Sequence, residues 1–261
     1  MNFKNMRLLS FCLVIIVLFS VQFNAIADEF TPLFNGQNLD GWINVNCAPE
    51  TWSVGDGMIH CTGTPIGVLR TEKMYENFIL ELDWRHLQTK GNSGVFIHSD
   101  PIPVTGKPFT RSTEVQILDS RNTENYTSHG DIFGIQGATM TPSPLHPGGW
   151  MRSLPQKRLC NETGEWNSYR IECRDGSMFL SVNGEQVTTA FHLNPRKGYI
   201  CLEAEGGAID FRNVRILELP GTNPPAEVTA HEAEGFKAVF TGVDLRGWKQ
   251  VKGNEDHWIV E

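Results

Sequence analysis

The chain has 261 residues, 40% of them hydrophobic and 20% charged, and 30 Asp and Glu against 22 Lys and Arg give a formal net charge of −8. That length fits one domain of sandwich size, or one domain plus a piece of another. The acidic balance excludes a nucleic-acid partner, since phosphate binding requires a basic face and none is visible.

In chain order, the first 27 residues read as a signal peptide. Lys4 and Arg7 precede the apolar run LLSFCLVIIVLFSVQF, and Ala25, Ile26 and Ala27 provide a cleavage site before Asp28. The run falls short of a comfortable bilayer span, so export without a stable membrane anchor is expected. Removing it leaves Cys47, Cys61, Cys160, Cys173 and Cys201. An odd count means at least one thiol is unpaired or pairs outside this chain. One or two disulfides suit an exported protein, and no C-x-x-C spacing suggests zinc.

Residues 28–219 read as one all-β domain. In FILELDW, Phe78, Leu80, Leu82 and Trp84 alternate with Glu81, Asp83 and Arg85. In NSGVFIH, Asn92, Gly94, Phe96 and His98 share a face, and in EVQIL so do Glu114, Gln116 and Leu118. Asp119 falls on the apolar side of its strand unless a bulge or the strand end re-aims it. The stretch 120–164 has no strand rhythm and reads as a long functional loop. It carries HGDIF, with His129, and HPGGWM, in which Trp150 is either a platform for a sugar ring or a lid on the sandwich. His129 and His146 lack ligand spacing. Asp175-Gly176 and Asn183-Gly184 then separate three strand-like runs, as hairpin turns with positive φ do. In YICLEAE, Tyr199, Cys201, Glu203 and Glu205 share one face. Many short antiparallel strands with Gly- and Pro-rich turns predict a sandwich of two sheets.

Residues 220–235 read as a Pro-, Ala- and Glu-rich linker, and 236–261 repeat the domain's opening. Phe34, Gly36, Leu39, Gly41, Trp42, Val45, Trp52 and Val54 recur without a gap as Phe240, Gly242, Leu245, Gly247, Trp248, Val251, Trp258 and Val260. The chain thus begins a second copy of its own domain.

The polar faces have a plain explanation, the solvated outer side of an antiparallel sandwich. Yet Glu81, Asp83, Glu114, Glu203 and Glu205 accumulate with only Arg85 to balance them. If neighbouring strands bring such carboxyls together, crowding raises at least one pKa, as acid/base sites require.

LFNGQNLDGW, WSVGDGMIHC, GNSGVFIHS, EVQILD, GEWNSYRIEC, VNGEQV and GYICLEAEGGAIDFRNVRI follow one another in this sequence. In that order they resemble the 3-keto-disaccharide hydrolase family over nearly all of 30–219, and the tail resembles the start of another such domain. The resemblance implies a concanavalin-like jelly-roll sandwich, export, and work on carbohydrates in glycan-degrading bacteria, with an oligosaccharide or 3-keto-glycoside as substrate. It puts the polar faces on one concave sheet. It matches Arg85, Asn92, Glu114, Gln116 and Asp119 to family motifs, while His98, Glu203 and Glu205 stand where the family varies. A 3-keto group acidifies the C2 proton, so elimination followed by hydration becomes a route to cleavage. The expected roles are Glu114 as base, Arg85 and His98 at the developing enolate, and Glu203, Glu205 or Asp119 as acid. Asn92, His98, Gln116, His129 and Trp150 would contact substrate. No cofactor is required, though a divalent metal could take the place of Arg85. The competing classes are a non-catalytic carbohydrate-binding module and an adhesive repeat.

Overall fold

A computed structural model describes residues 29–119 and 128–233. The segment 1–27 expected to be a signal peptide and the repeat at 236–261 lie outside the described residues. In chain order the strands are β1 (Thr31–Pro32), β2 (Trp42–Val45), β3 (Trp52–Gly55), β4 (Met58–Cys61), β5 (Gly67–Thr71), β6 (Phe78–His86), β7 (Asn92–Ser99) and β8 (Ser112–Leu118). They continue as β9 (Ile132–Ile135), β10 (Thr139–Ser143), β11 (Arg152–Ser153), β12 (Asn167–Arg174), β13 (Ser177–Val182), β14 (Glu185–Asn194), β15 (Tyr199–Ala204) and β16 (Ile209–Glu218). Three of them, β9 to β11, fall in the stretch expected to be a structureless loop. They are short and lack a run of β-branched residues, which is why no period marks them.

The strands form two antiparallel sheets. The larger runs β10-β14-β13-β12-β6-β16-β4-β3, with β1 added to β16, and the smaller runs β11-β9-β8-β7-β15-β5-β2. Asp175, Gly176, Asn183 and Gly184 take positive φ and make the two tight hairpins of β12–β14. The sheets meet through alternate side chains. Phe78, Leu80, Leu82, Trp84, Tyr169, Ile171 and Leu180 come from the larger, and Val95, Ile97, Val115, Ile117 and Leu202 from the smaller. Burying one such aliphatic or Phe side chain contributes about 1.5–3 kcal/mol, enough for a dozen of them to fix the register. The result is the two-sheet sandwich that the turn spacing predicts, in the concanavalin-like jelly-roll form that the family resemblance implies. Among the described residues Cys47, Cys61, Cys173 and Cys201 are buried and form no disulfide, so the one or two bridges expected of an exported chain are not found among them.

The repeated opening segment has a clear structural basis. Phe34, Trp42 and Trp52 are buried in the core, with Leu39 and Val54 packed against it. Gly36 and Gly41 take φ of 77° and 84°. The recurring positions are therefore ones the sandwich buries or bends.

The segment after β16 is no loose tether. Glu76 accepts from the Thr222 backbone and hydroxyl at 2.7 and 2.5 Å and from the Asn223 N–H at 3.1 Å. Further on, the Ala230 N–H donates to the Lys197 carbonyl, the His231 N–H to Asp100 and the Ala233 N–H to the Tyr199 hydroxyl. Residues 220–233 thus strap one end of the sandwich. Glu76→Ala should lower stability by about 1 kcal/mol. It should speed amide exchange across 222–230 while leaving Val95 and Val115 protected, as read by hydrogen–deuterium exchange.

Candidate active site

Pairing across the smaller sheet lays one row of outward residues over six strands. Arg70 pairs with Cys201, Cys201 with Phe96, Phe96 with Glu114, Glu114 with Phe133, and Phe133 with Arg152. In the neighbouring row Glu203 pairs with Val68 and Gln116 with Gly94. The core face of the same strands carries Val95, Val115 and Leu202, so period two together with the β15–β7–β8 pairing delivers Glu114, Gln116 and Glu203 to one surface.

Gly94 is where the carboxyls converge. A Cβ there would lie 2.8 Å from Glu203 Oε2 and 3.1 Å from Glu114 Oε1. Only a residue without a side chain leaves both carboxyls room. Beside them, Asn92 Nδ2 donates to Glu205 Oε2, and Gln116 Nε2 donates to Asn92 Oδ1 at 2.9 Å. Glu205, Asn92 and Gln116 thus form a hydrogen-bonded chain along the edge of the pair. On the other side Arg152 lies flat over Phe133, 3.6 Å from the ring centroid, and donates to Asp131 Oδ2 at 3.1 Å.

Burial sets the electrostatics. Glu203 is 1% exposed, and neither of its oxygens has a hydrogen-bond partner among the described residues. Burial first, then the charges of Glu114 and Glu205, hold its carboxyl well above the ordinary range. Burial, with Glu205 and Asp131 nearby, pushes Glu114 from 4.5 to about 8 against the pull of Arg152. Asp131 rises from 3.8 to about 7, because its burial outweighs even the guanidinium beside it. Burial raises Glu205 as well. One face therefore holds a carboxyl that keeps its proton at neutral pH and a second that exchanges it near neutrality. That is the separation acid/base chemistry uses.

Glu114, Gln116, Asn92, Glu203 and Glu205 are thus brought together as expected. Four other residues are not. Arg85 belongs to the larger sheet and points from its outer face, where it pairs with Asp210 at 2.8 Å and stacks on Trp166. The Arg85 assignment fails because alternation assigns a face but not a sheet. His98 takes φ of 54°, which turns its ring off the row to Phe78 and the Glu76 carbonyl; burial lowers it to about 4. Asp119 lies just beyond β8 and accepts from the Lys90 N–H and the Thr163 hydroxyl. His129 stacks on Trp84 at 4.9 Å, on the core side of the sandwich. Trp150 is 53% exposed, stacks on His146 at 4.6 Å, and stands two residues before Arg152. It belongs to the connection that leads into β11.

Sequence reasoning missed Gly94 as the floor, Asp131, and Arg152, the cation that stands beside the acids. The signal for Arg152 was its place just after an exposed Trp in a Gly-Gly turn. Among the described residues no group of three or more His, Cys, Asp and Glu side chains is arranged to hold a metal ion. A cleft of 810 Å³ on the outer face of the larger sheet offers less chemistry. Its charged groups neutralise one another, Arg170 and Arg215 on Glu81 and Arg212 on Asp83.

The family model described as 3-keto-alpha-glucoside-1,2-lyase-like domain matches residues 29–217. Two solved structures from Parabacteroides distasonis ATCC 8503, each provisionally named a glycosyl hydrolase, are similar. One is 26% identical with a TM-score of 0.58, covering 74% of this chain and 95% of its own. The other is 27% identical with a TM-score of 0.55, covering 73% and 100%. The carbohydrate-binding module CBM66 from Bacillus subtilis shares the fold at 12% identity and a TM-score of 0.51, covering 68% of this chain and 96% of its own. No curated protein matches the sequence.

Two outcomes follow from this geometry. Gly94→Ala should fold, because its backbone is regular, but should weaken ligand binding or turnover at least about tenfold by splaying Glu114 from Glu203. The folded protein binds more protons than the unfolded chain between pH 4.5 and about 8, owing to Glu114. The contribution of Glu114 to stability should therefore fall as pH rises through that window and level off above it, while buried neutral His98 contributes with the opposite sign between about pH 4 and 6.5. Urea unfolding at pH 5 and pH 8 measures this difference, which Glu114→Gln should shrink.

Proposed function

This chain belongs to the 3-keto-alpha-glucoside-1,2-lyase-like family, and from that premise we propose that it is an exported enzyme that cleaves the glycosidic bond of 3-keto-glycosides. The observation that carries the reading is the pair of carboxyls over Gly94, one held protonated and one titrating near neutrality.

The chemistry follows from the substrate. A ketone at C3 makes the C2 proton acidic and leaves the glycosidic oxygen on C1 in the position to depart. Glu114 takes the C2 proton, and the electron pair moves into the C2–C3 bond while the ketone oxygen gains charge. Arg152 and the Gln116 amide are the donors on this face for that enolate oxygen. The enolate then re-forms the ketone as the C1–O bond breaks, with Glu203 giving its proton to the departing sugar. Water adds to the enone, its hydroxyl to C1 and its proton to C2, which completes hydrolysis. Glu205 acts through Asn92 and Gln116 as a positioning residue. Trp150 offers an apolar surface to the sugar at the rim. Residues 236–261 are, on this reading, the opening of a second domain of the same kind.

The decisive comparison is between a 3-keto-disaccharide and its unoxidised parent, followed by release of the leaving sugar. The keto form alone should be cut, and Glu114→Gln should slow this by about 10²-fold or more. Because Glu114 must lose its proton to act, kcat/KM should rise with pH through about 8. Tight binding of the sugar with no turnover by the wild type would reassign the chain as a carbohydrate-binding module.

A further inference from the structure

The row that holds Glu114 ends, on β5, in a second cation. Arg70 is 6% exposed, yet no carboxylate lies within ion-pair distance of it among the described residues. Its Nε donates to the Pro101 carbonyl at 3.1 Å, its Nη1 donates to the Thr71 carbonyl at 2.8 Å, and its guanidinium stacks over the Tyr199 ring at 4.4 Å. A guanidinium has five N–H donors, so three remain. A cation desolvated to this degree is unfavourable unless an anion completes it.

Arg70 lines a cleft of 520 Å³ together with Ile43, Met74 and Lys197. The cleft is separate from the carboxyl site. Arg70 and Glu114 stand three strand spacings apart, about 14 Å. Between them Phe109, from the β7–β8 connection, packs edge-on against Phe96 at 5.5 Å, and Val68 and Cys201 complete that apolar ridge. Glu72 and Glu232 also border the cleft, but both are exposed and neither pairs with Arg70 or Lys197.

We propose that this cleft is an anion subsite that takes the carboxylate of a uronic acid residue, with the carboxylate on Arg70 and Lys197 and the apolar face of the sugar against Ile43 and Met74. Planar carboxylates match the guanidinium fork, and the lining offers both the charge and the apolar surface such a residue presents. The anion site follows from Arg70 itself. The choice of a sugar to carry the charge rests on the carbohydrate reading of the neighbouring site, which the same oligosaccharide can reach across the Phe96–Phe109 ridge.

Calorimetric titration of the full chain with sodium glucuronate, acetate and glucose tests this directly. Glucuronate should bind at least about tenfold more tightly than either acetate or glucose, and more weakly as salt is raised. Lys197→Ala, at the half-buried rim, should weaken it severalfold, and Arg70→Met should abolish it. Glu114→Gln should leave it unchanged, which separates this subsite from the catalytic reading. If Arg70→Met fails to fold, Lys197→Ala and the salt dependence carry the test. Acetate binding as tightly as glucuronate would overturn the sugar assignment. Equal binding of glucose and glucuronate, or a glucuronate affinity indifferent to Lys197→Ala, would overturn the subsite.

Discussion

Everything at the carboxyl face depends on the register between β7, β8 and β15. The same pairings that put Val95 beside Val115 and Leu202 in the core put Gly94, Gln116 and Glu203 together outside. A slip of one residue would turn the acids inward and the valines outward, at a cost the core cannot absorb. The hydrophobic interior therefore enforces the position of the polar groups, although none of them touches it. The site needs no separate scaffold.

The second constraint is desolvation. A sheet face open to water would leave four acids ionised and mutually repelling. Here the β7–β8 connection with Phe109 covers one flank, and β9 and β11 with Phe133 and Arg152 cover the other. Low polarity between these walls favours the neutral acid, and the Arg152 guanidinium beside the acids is paired with Asp131. Proton affinity is thereby graded across a few ångströms, from Glu203 to Asp131, by depth and not by changes of residue type.

How much of this was legible beforehand varies by element. The two-sheet sandwich followed from the strand and turn rhythm, and period two gave Glu114, Gln116, Asn92, Glu203 and Glu205 each its face, while their place on one sheet came only from the family resemblance. Arg85 alternates equally cleanly, in a strand that joins the other sheet. Sheet membership is decided by long-range pairing, which leaves no local mark. His98 failed because one residue with positive φ reverses the alternation at the strand end. Arg152 was hidden by a strand of two residues, too short for any period. Family resemblance could supply the order of the motifs, yet it matched Arg85 to a place on the wrong side of the molecule.

The opening segment, residues 30–54, contributes core tryptophans and two bent glycines and not one group of the carboxyl face. What recurs in the tail is thus load-carrying frame without chemistry. The frame and the acids of the carboxyl face are written in different stretches of this chain, so the residues that repeat are free to keep the fold while the strands that bear the acids change.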